Sequence, residues 1–420
     1  NLKMHQKNLW QETSKEKIAF GNLTKSITTD LVVIGGGFTG CSAALFAAKS
    51  GLSVTLIDQK IGYGGSGRNV GLVNAGLWMP PEKVESILGL DAGSKLNNAL
   101  ASAPDLVFSL IDSNQINCSA NRSGTLHCAH SEKGLKDLQL RFKQLSERGA
   151  DLELLDKQQT QQRIGSSKFF GSLFNKKAGV INPLDYCFGL ARAAKSKGVN
   201  IYESTLANNI QSINNDWLVK TAEGSIKAKM LLVATNAYQK PIKGLNPSKY
   251  TSVQYFQVAT KSLSLDQVKS VLPNGEGCWD TASVMSSFRL DADNRLIIGG
   301  IGNLDHSASK IHTNWAIRKV EKLFPHLKNI AIDFSWHGRI AMTGDHIPKI
   351  LRLGNNAYSV FGYSGRGIGP GTYFGKAVSE FLISGNKDSL PVNPVDYYQE
   401  PFSKIKGNFI EMGATASHLL

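Results

Sequence analysis

The run Gly35-Gly36-Gly37-Phe38-Thr39-Gly40 has the G-x-G-x-x-G spacing that suits a pyrophosphate. Gly35 permits the tight turn, Gly37 lets backbone approach the phosphates, and Gly40 lets a following helix lie close on the preceding strand. Phe38 and Thr39 then fall in the first turn of that helix, whose unpaired N–H groups and positive dipole end face the anion. Asp58, with Gln59 beside it, stands where a carboxylate can accept hydrogen bonds from a ribose diol. A second glycine-rich stretch, Gly365-Arg366-Gly367-Ile368-Gly369-Pro370-Gly371, also opens a helix, so its N–H groups can support negative charge. It is no second dinucleotide turn, because no further βαβ unit or ribose acid follows it. His127 and His130 stand three apart on expected strand and turn residues, a spacing that makes no metal site there. The five cysteines are scattered without a CxxC pair and suggest neither zinc nor a disulfide framework. Cys41 lies early in the phosphate-side helix, where a thiol can be activated, although its size equally suits packing on a sheet.

These residues need particular elements to position them. Leu31-Val32-Val33-Ile34 is short and wholly apolar, as a strand buried on both faces would be. Residues 41–50 have helical spacing and stop at Gly51, and 53–57 form a second apolar strand ending on Asp58. Strand, glycine turn, helix, strand and acid together make a dinucleotide-binding βαβ unit. Further along, 82–112 reads as helical with a break at 89–93, 116–130 as a strand pair, and 131–148 as an amphipathic helix. Residues 184–197 form a helix behind Pro183, 200–212 and 217–221 are strands, and 225–235 is a buried strand. From Tyr250 the pattern turns strand-rich (254–261, 278–290, 295–300), followed by a helix over 315–327. A core strand at 357–362 and a helix over 372–384 close the pattern, and residues 1–28 read as an extended surface leader anchored by Trp10.

Composition narrows the class. The chain has 420 residues, 41% hydrophobic and 19% charged, enough for a large core and two lobes but not for a disordered protein. No apolar run is long enough to span a bilayer and no signal pattern opens the chain, so a cytoplasmic protein is expected, with Met4 a candidate natural start. Lys and Arg outnumber Asp and Glu by 47 to 33, a net charge of +14. The basic residues are spread along the chain rather than gathered, which favours a solvated surface over a nucleic-acid footprint without excluding the latter.

Gly64-Gly65-Ser66-Gly67-Arg68-Asn69-Val70-Gly71 resembles the G-x-S-G-R-N-G-G loop of the flavin-dependent D-amino-acid oxidase superfamily, in its γ-glutamylputrescine oxidase-like branch. The resemblance implies FAD, with Gly65, Ser66, Arg68, Asn69 and Gly71 along the cofactor, and Val70 departing from the usual Gly. Some members attach flavin through a His or Cys in this loop; neither is present, so non-covalent FAD is expected. Ala207 corresponds to the residue whose backbone meets adenine, and Thr235-Asn236 to the end of a strand beside the pyrophosphate. Residues 288–300 resemble the family's y-R-L-x-x-D-G-R-l-l-f-G-G strand pair, where Arg289 faces either the site or a structural carboxylate. Residues 336–348 resemble W-x-G-x-x-A-x-T-x-D-x-x-P, a segment that places Gly338 beside the flavin ring. His337 replaces a usual Gly there, as an acid/base group or as an outward side chain of the strand. By the same resemblance Gly365, Arg366, Gly367 and Ile368 stand near the flavin carbonyls, Arg366 either favouring the reduced ring or holding the lobes together.

The expected fold is α/β: a discontinuous two-lobe flavoprotein, with a Rossmann-like FAD-binding lobe and a mixed-sheet α+β substrate lobe. The FAD-binding domain is expected at 28–90, 178–245 and 332–392, and the substrate domain at 91–177 and 246–331. Residues 1–27 form the leader and 393–420 the tail. The resemblance implies oxidation of a C–N bond of an amine or amino acid by hydride transfer to flavin, with O2 or another acceptor taking the electrons. A flavoprotein acting on tRNA or a partner protein, and a non-enzymatic flavin binder, are the alternatives. His337 and Arg289 are the catalytic candidates, and no metal is expected.

Overall fold

The computed structural model describes residues 7–246, 248–305 and 309–419; Met4 lies outside them. Two eight-stranded sheets organise the chain. In the first, Ser26–Ile34 lies between Ser225–Val233 and Val54–Ile57, parallel to both. Asn200–Tyr202 extends one side and Ala357–Phe361 the other, again in parallel. The apolar run 31–34 is buried residue by residue because both faces of this sheet are covered. Leu31 and Val33 point into a core shared with the helices Phe38–Lys49, Pro183–Ser196 and Ile368–Ser384. Val32 and Ile34 meet the hairpin Asn209–Ile213/Asp216–Lys220 through Trp217 and Val219.

Small residues let two of those helices touch. In Phe38–Lys49 and Ile368–Ser384, Ser42 Oγ donates to Thr372 O (2.7 Å), and a Cβ on Gly375 would lie 2.3 Å from Thr39 O. The closing helix therefore begins beside the phosphate-side helix. Their starts are tied by Thr39 Oγ1 and Tyr363 OH, 2.6 Å apart.

The second sheet is mostly antiparallel, in the order Ile332–Met342, Thr251–Ser262, Arg295–Ile301, Ser286–Leu290, Gly277–Asp280, Thr125–Cys128, Ser172–Asn175, Leu152–Leu155. Phe256, Val258, Phe288, Cys278 and Leu126 form a core on one face, under the helix Ser309–Leu323. Alternation along the strands turns Tyr255, Gln257, Ser287, Trp279 and His127 to the other face, toward the first lobe.

Several expectations meet a different arrangement. Residues 332–342, expected in the FAD-binding domain, pair along their length with Thr251–Ser262 as the edge of the second sheet. The helices Leu90–Ala101 and Ala103–Ser113, expected in the substrate domain, bury Leu96, Leu100, Val107 and Phe108 in the first lobe's core. Only Thr125–Cys128 is a strand within 116–130. Nor does the leader simply cross the surface. Leu9–Thr13 is a short helix between the lobes, where Leu9 and Trp10 pack with Leu184, Ala259, Ile297 and Trp336. Asp185 accepts from Ser14 Oγ (2.5 Å) and from the Lys15 and Glu16 N–H groups, which ties the leader to a helix start. No helix among the described residues is long and apolar enough to cross a membrane.

Candidate active site

The glycine turn has the geometry its spacing calls for. Gly35 sits at φ +110°, and a Cβ on Gly40 would lie 1.8 Å from Gly35 O, so helix and strand are as close as backbone allows. The helix Phe38–Lys49 has Gly37 at its N-cap and no side-chain cap there. Ser66 Oγ, from the following loop, accepts from Phe38 N–H (3.0 Å). Asp58 Oδ2 accepts from Gly36 N–H (2.5 Å) and Oδ1 from Lys60 N–H (3.4 Å). Burial pushes this carboxyl's pKa up, against those backbone bonds. An anionic ligand's diol could take the same carboxylate oxygens. Ala207 lies in the core below this end of the sheet, and Asn236, at φ +43°, accepts from Gly362 N–H (2.9 Å). Gln59 follows Asp58 at the strand end, and Thr235 Oγ1 donates to Gln239. Phosphate turn, second strand end and closing loop thus meet at one place.

The loop after Asp58 is fixed from several directions. Asn69 donates to Gly65 O (2.9 Å) and Ser66 O (3.1 Å) and accepts from Gly71 N–H (2.9 Å). Arg68 donates to Tyr63 O and to His337 O (3.0 Å), with its guanidinium 4.5 Å above the Tyr63 ring. Trp10 Nε1 donates to Asn69 O and Trp336 Nε1 to Arg68 O. Val70, the departure from the family's glycine, packs beside the Trp10–Trp336 cluster. Arg289 donates through Nη1 to Ile181 O (2.6 Å) and Gly71 O (3.2 Å), and through Nε to Leu290 O. Burial holds its pKa down at about 10. Neither alternative foreseen for Arg289 describes it: its guanidinium clamps loop carbonyls instead of facing a reactant or a carboxylate.

His337 also departs from expectation. Its neighbours Trp336 and Gly338 face the first lobe, Gly338 so closely that a Cβ would lie 3.0 Å from Arg68 Cβ. The His337 ring therefore points to the opposite face, where its Nε2 lies 3.1 Å from Asp305 Oδ2. Its register partner Phe256 packs there against His312, Trp315 and His418. The outward alternative holds, and His337 as an acid/base group is corrected by strand alternation.

Between the lobes, His127, Arg141 and Arg366 are half-buried, and burial is the main cause that lowers the pKa of each. Arg366 donates to Ala75 O (2.6 Å) and Leu77 O (2.9 Å), and its guanidinium lies 5.3 Å from the Trp279 ring. Burial and the nearby Arg141 push its pKa down to about 9. Arg141 donates to Trp78 O (2.6 Å). His127 stacks on Trp279 at 4.7 Å, and burial plus the two arginines hold its pKa well below the usual value, so it is neutral at pH 7. Tyr255 OH lies 2.8 Å from Ser287 Oγ and donates to Gly299 O (3.2 Å). Gln257 Oε1 is buried without a hydrogen-bond partner among the described residues, an acceptor that a bound group could satisfy. The helix Ile368–Ser384 starts at Gly367 without a side-chain cap, next to Arg366. Of the aromatic residues that could box a substrate, Trp336 and Tyr363 are core, while Tyr63 and Trp78 are exposed.

Sequence reasoning had not assigned His127, Arg141, Tyr255, Gln257, Trp279 and Ser287 to the site. The available signal was polar alternation, Tyr255 and Gln257 between Phe256 and Val258, on a strand whose other face is core.

The glycine turn and the Asp58 carboxylate at the second strand's end have the form of a dinucleotide-binding unit, and residues 30–381 match the family model of FAD-dependent oxidoreductases (DAO). The chain belongs to that family and is an FAD-dependent oxidoreductase related to amine and amino-acid oxidases. It is 31% identical to the gamma-glutamylputrescine oxidoreductase of Escherichia coli (strain K12), over 90% of this chain and 89% of that one. It is also 31% identical to a probable oxidoreductase OrdL of Haemophilus influenzae, covering 92% and 90%. The fold is similar to that of L-proline dehydrogenase from P. horikoshii (TM-score 0.71, 22% identity, 87% of this chain and 97% of that one).

Proposed function

We propose that this enzyme oxidises the C–N bond of an amine that also carries a carboxylate, such as an amino acid or a γ-glutamyl amine, using non-covalent FAD. Gly35, Gly37, Phe38, Thr39 and Gly40 would hold the pyrophosphate, and Asp58 with Gln59 the ribose. Ala207, Thr235 and Asn236 would flank the adenosine and phosphate side. Gly65, Ser66, Arg68, Asn69, Gly71, Gly338, Gly365, Arg366, Gly367 and Ile368 would line the ring. FAD held by these residues would supply the hydride acceptor for oxidation of the carbon beside nitrogen, giving an imine that water hydrolyses.

The rest belongs to the chain. One observation carries the carboxylate: Arg141 and Arg366 lie close enough to repel, and their hydrogen bonds go to carbonyls of the loop 75–78, not to carboxylates. An anionic substrate group would relieve the repulsion between them. The neutral imidazole of His127 can accept a hydrogen bond from the substrate ammonium, and Tyr255, Ser287 and Gln257 can orient the chain between them. The Trp10–Trp336 cluster keeps water from the rear of the site. The E. coli relative's named substrate fits this pattern, since a γ-glutamyl amine carries both an amine and a carboxylate. Non-covalent binding is supported by five buried cysteines and by a His337 ring on the far face of its strand.

The test is anaerobic flavin bleaching of the holoprotein with amino acids, γ-glutamyl amines and plain alkylamines. Carboxylate-bearing amines should bleach it, and Arg141→Gln should raise their KM roughly tenfold, the loss of one charge-assisted bond of about 1.5 kcal/mol. Equal bleaching by plain alkylamines would remove the carboxylate from the proposal, and no bleaching by any amine would remove C–N oxidation. After denaturation the flavin should pass a membrane that retains the chain.

A further inference from the structure

The C-terminal helix Ser403–Leu419 is buried on one side and bare on the other. Its inner side is fixed to the second lobe. Ala414 and His418 are buried, and a Cβ on Gly407 would lie 2.6 Å from Ser252 O. His418 Nδ1 lies 2.8 Å from His312 Nδ1, its ring stacks on Trp315 at 4.1 Å, and Glu411 accepts from Asn303 N–H (2.8 Å). A helix held by its inner side presents its outer side in a defined orientation.

That outer side carries Phe402, Ile405, Phe409, Met412 and Leu419, all between 64% and 76% exposed, with exposed Ala416 completing the row. Phe402 stands just before the helix, at φ +54°, its carbonyl accepting from Lys406 N–H (2.9 Å). The spacing runs three, four, three, four, three, which is the a/d row of a coiled-coil seam. The flanking positions suit close approach: Asn408 and Thr415 on one side, Gly413 and Lys406 on the other, with Lys406 held by Glu400.

We propose that this helix pairs antiparallel with the same helix of a second copy of the chain, forming a two-fold dimer. The row selects a second copy because its spacing reads the same in both directions. About a two-fold axis between Phe409 and Met412, Phe409 faces the other copy's Met412, Ile405 its Ala416 and Phe402 its Leu419. A two-fold interface requires that self-complementarity, residue against residue in both directions. No like charges meet, since Asn408 falls near Thr415 and Lys406 near Gly413. Five large apolar side chains exposed to this degree offer on the order of 600 Å² per copy. That approaches the ~800 Å² per partner of a standard interface. A lipid surface is disfavoured because the helix lacks the basic polar face of an interfacial helix: its lysines are Lys404 and Lys406, both at one end.

Sedimentation velocity of the full-length, FAD-loaded protein at micromolar concentration should give twice the chain mass. Phe409→Glu combined with Met412→Glu should give a monomer with unchanged flavin and circular-dichroism spectra, since the inner side of the helix is untouched. Mixing Phe402→Cys protein with Leu419→Cys protein should yield a disulfide-linked dimer that neither forms alone. The proposal is overturned by a monomer at all soluble concentrations or a dimer that survives the double glutamate. Cross-linking of Phe402→Cys alone, as in a parallel pair, or flotation of the monomer with anionic vesicles would overturn it equally.

Discussion

The two sheets of this enzyme present different groups where the lobes meet. The parallel sheet offers backbone, in the turn Gly35–Gly40 and the uncapped starts of two helices, with the carboxylate of Asp58. The antiparallel sheet offers side chains, drawn from Thr251–Ser262, Gly277–Asp280, Ser286–Leu290 and Thr125–Cys128, on one face only. Backbone recognition tolerates almost no change in residue size, because the elements are already at contact distance. Side-chain recognition tolerates replacement one residue at a time, since each contributes one hydrogen bond or ring. The first sheet is suited to a constant cofactor and the second to a substrate that differs between relatives.

Three substitutions probe that difference. The largest effect should come from Gly40→Ala, whose methyl would meet Gly35 O at 1.8 Å. The helix must move off the strand, at a cost of about 3 kcal/mol or more. Purified protein should be flavin-poor with a lower melting temperature, and full flavin content would refute the close-packed turn. A smaller effect is expected for Tyr255→Phe, which removes the hydroxyl beside Ser287. Flavin content should stay normal while kcat/KM falls roughly fivefold, the value of one hydrogen bond of about 1 kcal/mol. Loss of flavin in this variant would erase the distinction between the sheets. The smallest effect belongs to His337→Gln, on the far face of the same sheet. It should change stability by about 0.5 kcal/mol or less, and leave the pH–rate profile where it was. A shifted profile would return the imidazole to the reaction.

Much of the cofactor side was legible before any coordinates. A βαβ unit is local in sequence: strand, turn, helix and acid lie within residues 29–58, and each glycine reports a backbone requirement at its own position. The loop Gly64–Gly71 and the stretch Gly365–Gly371 were legible for the same reason, and close packing at Gly67 and positive φ at Gly71 and Gly365 account for three of their glycines. Asn294 likewise tolerates the φ of +61° that its turn demands. Arg289 and His337 kept two readings each in the sequence, because a residue type in a motif does not say what it touches. Arg289 proved to hold carbonyls of two distant segments. His337 sits one residue from the face toward the first lobe, and on a strand one residue is the difference between the two faces.

The sequence by itself determined the βαβ unit and the FAD-dependent family, because those depend on short-range spacing and on backbone freedom. Tertiary structure alone decided that Leu9–Thr13 fills the lobe junction and that 332–342 edges the second sheet. It alone brought His127, Arg141 and Arg366 close together. Arg366 lies far along the chain from the other two, and neither His127 nor Arg141 carries a local spacing that marks it. Their shared chemistry arises from desolvation and mutual repulsion, which exist only once the chain has folded around them.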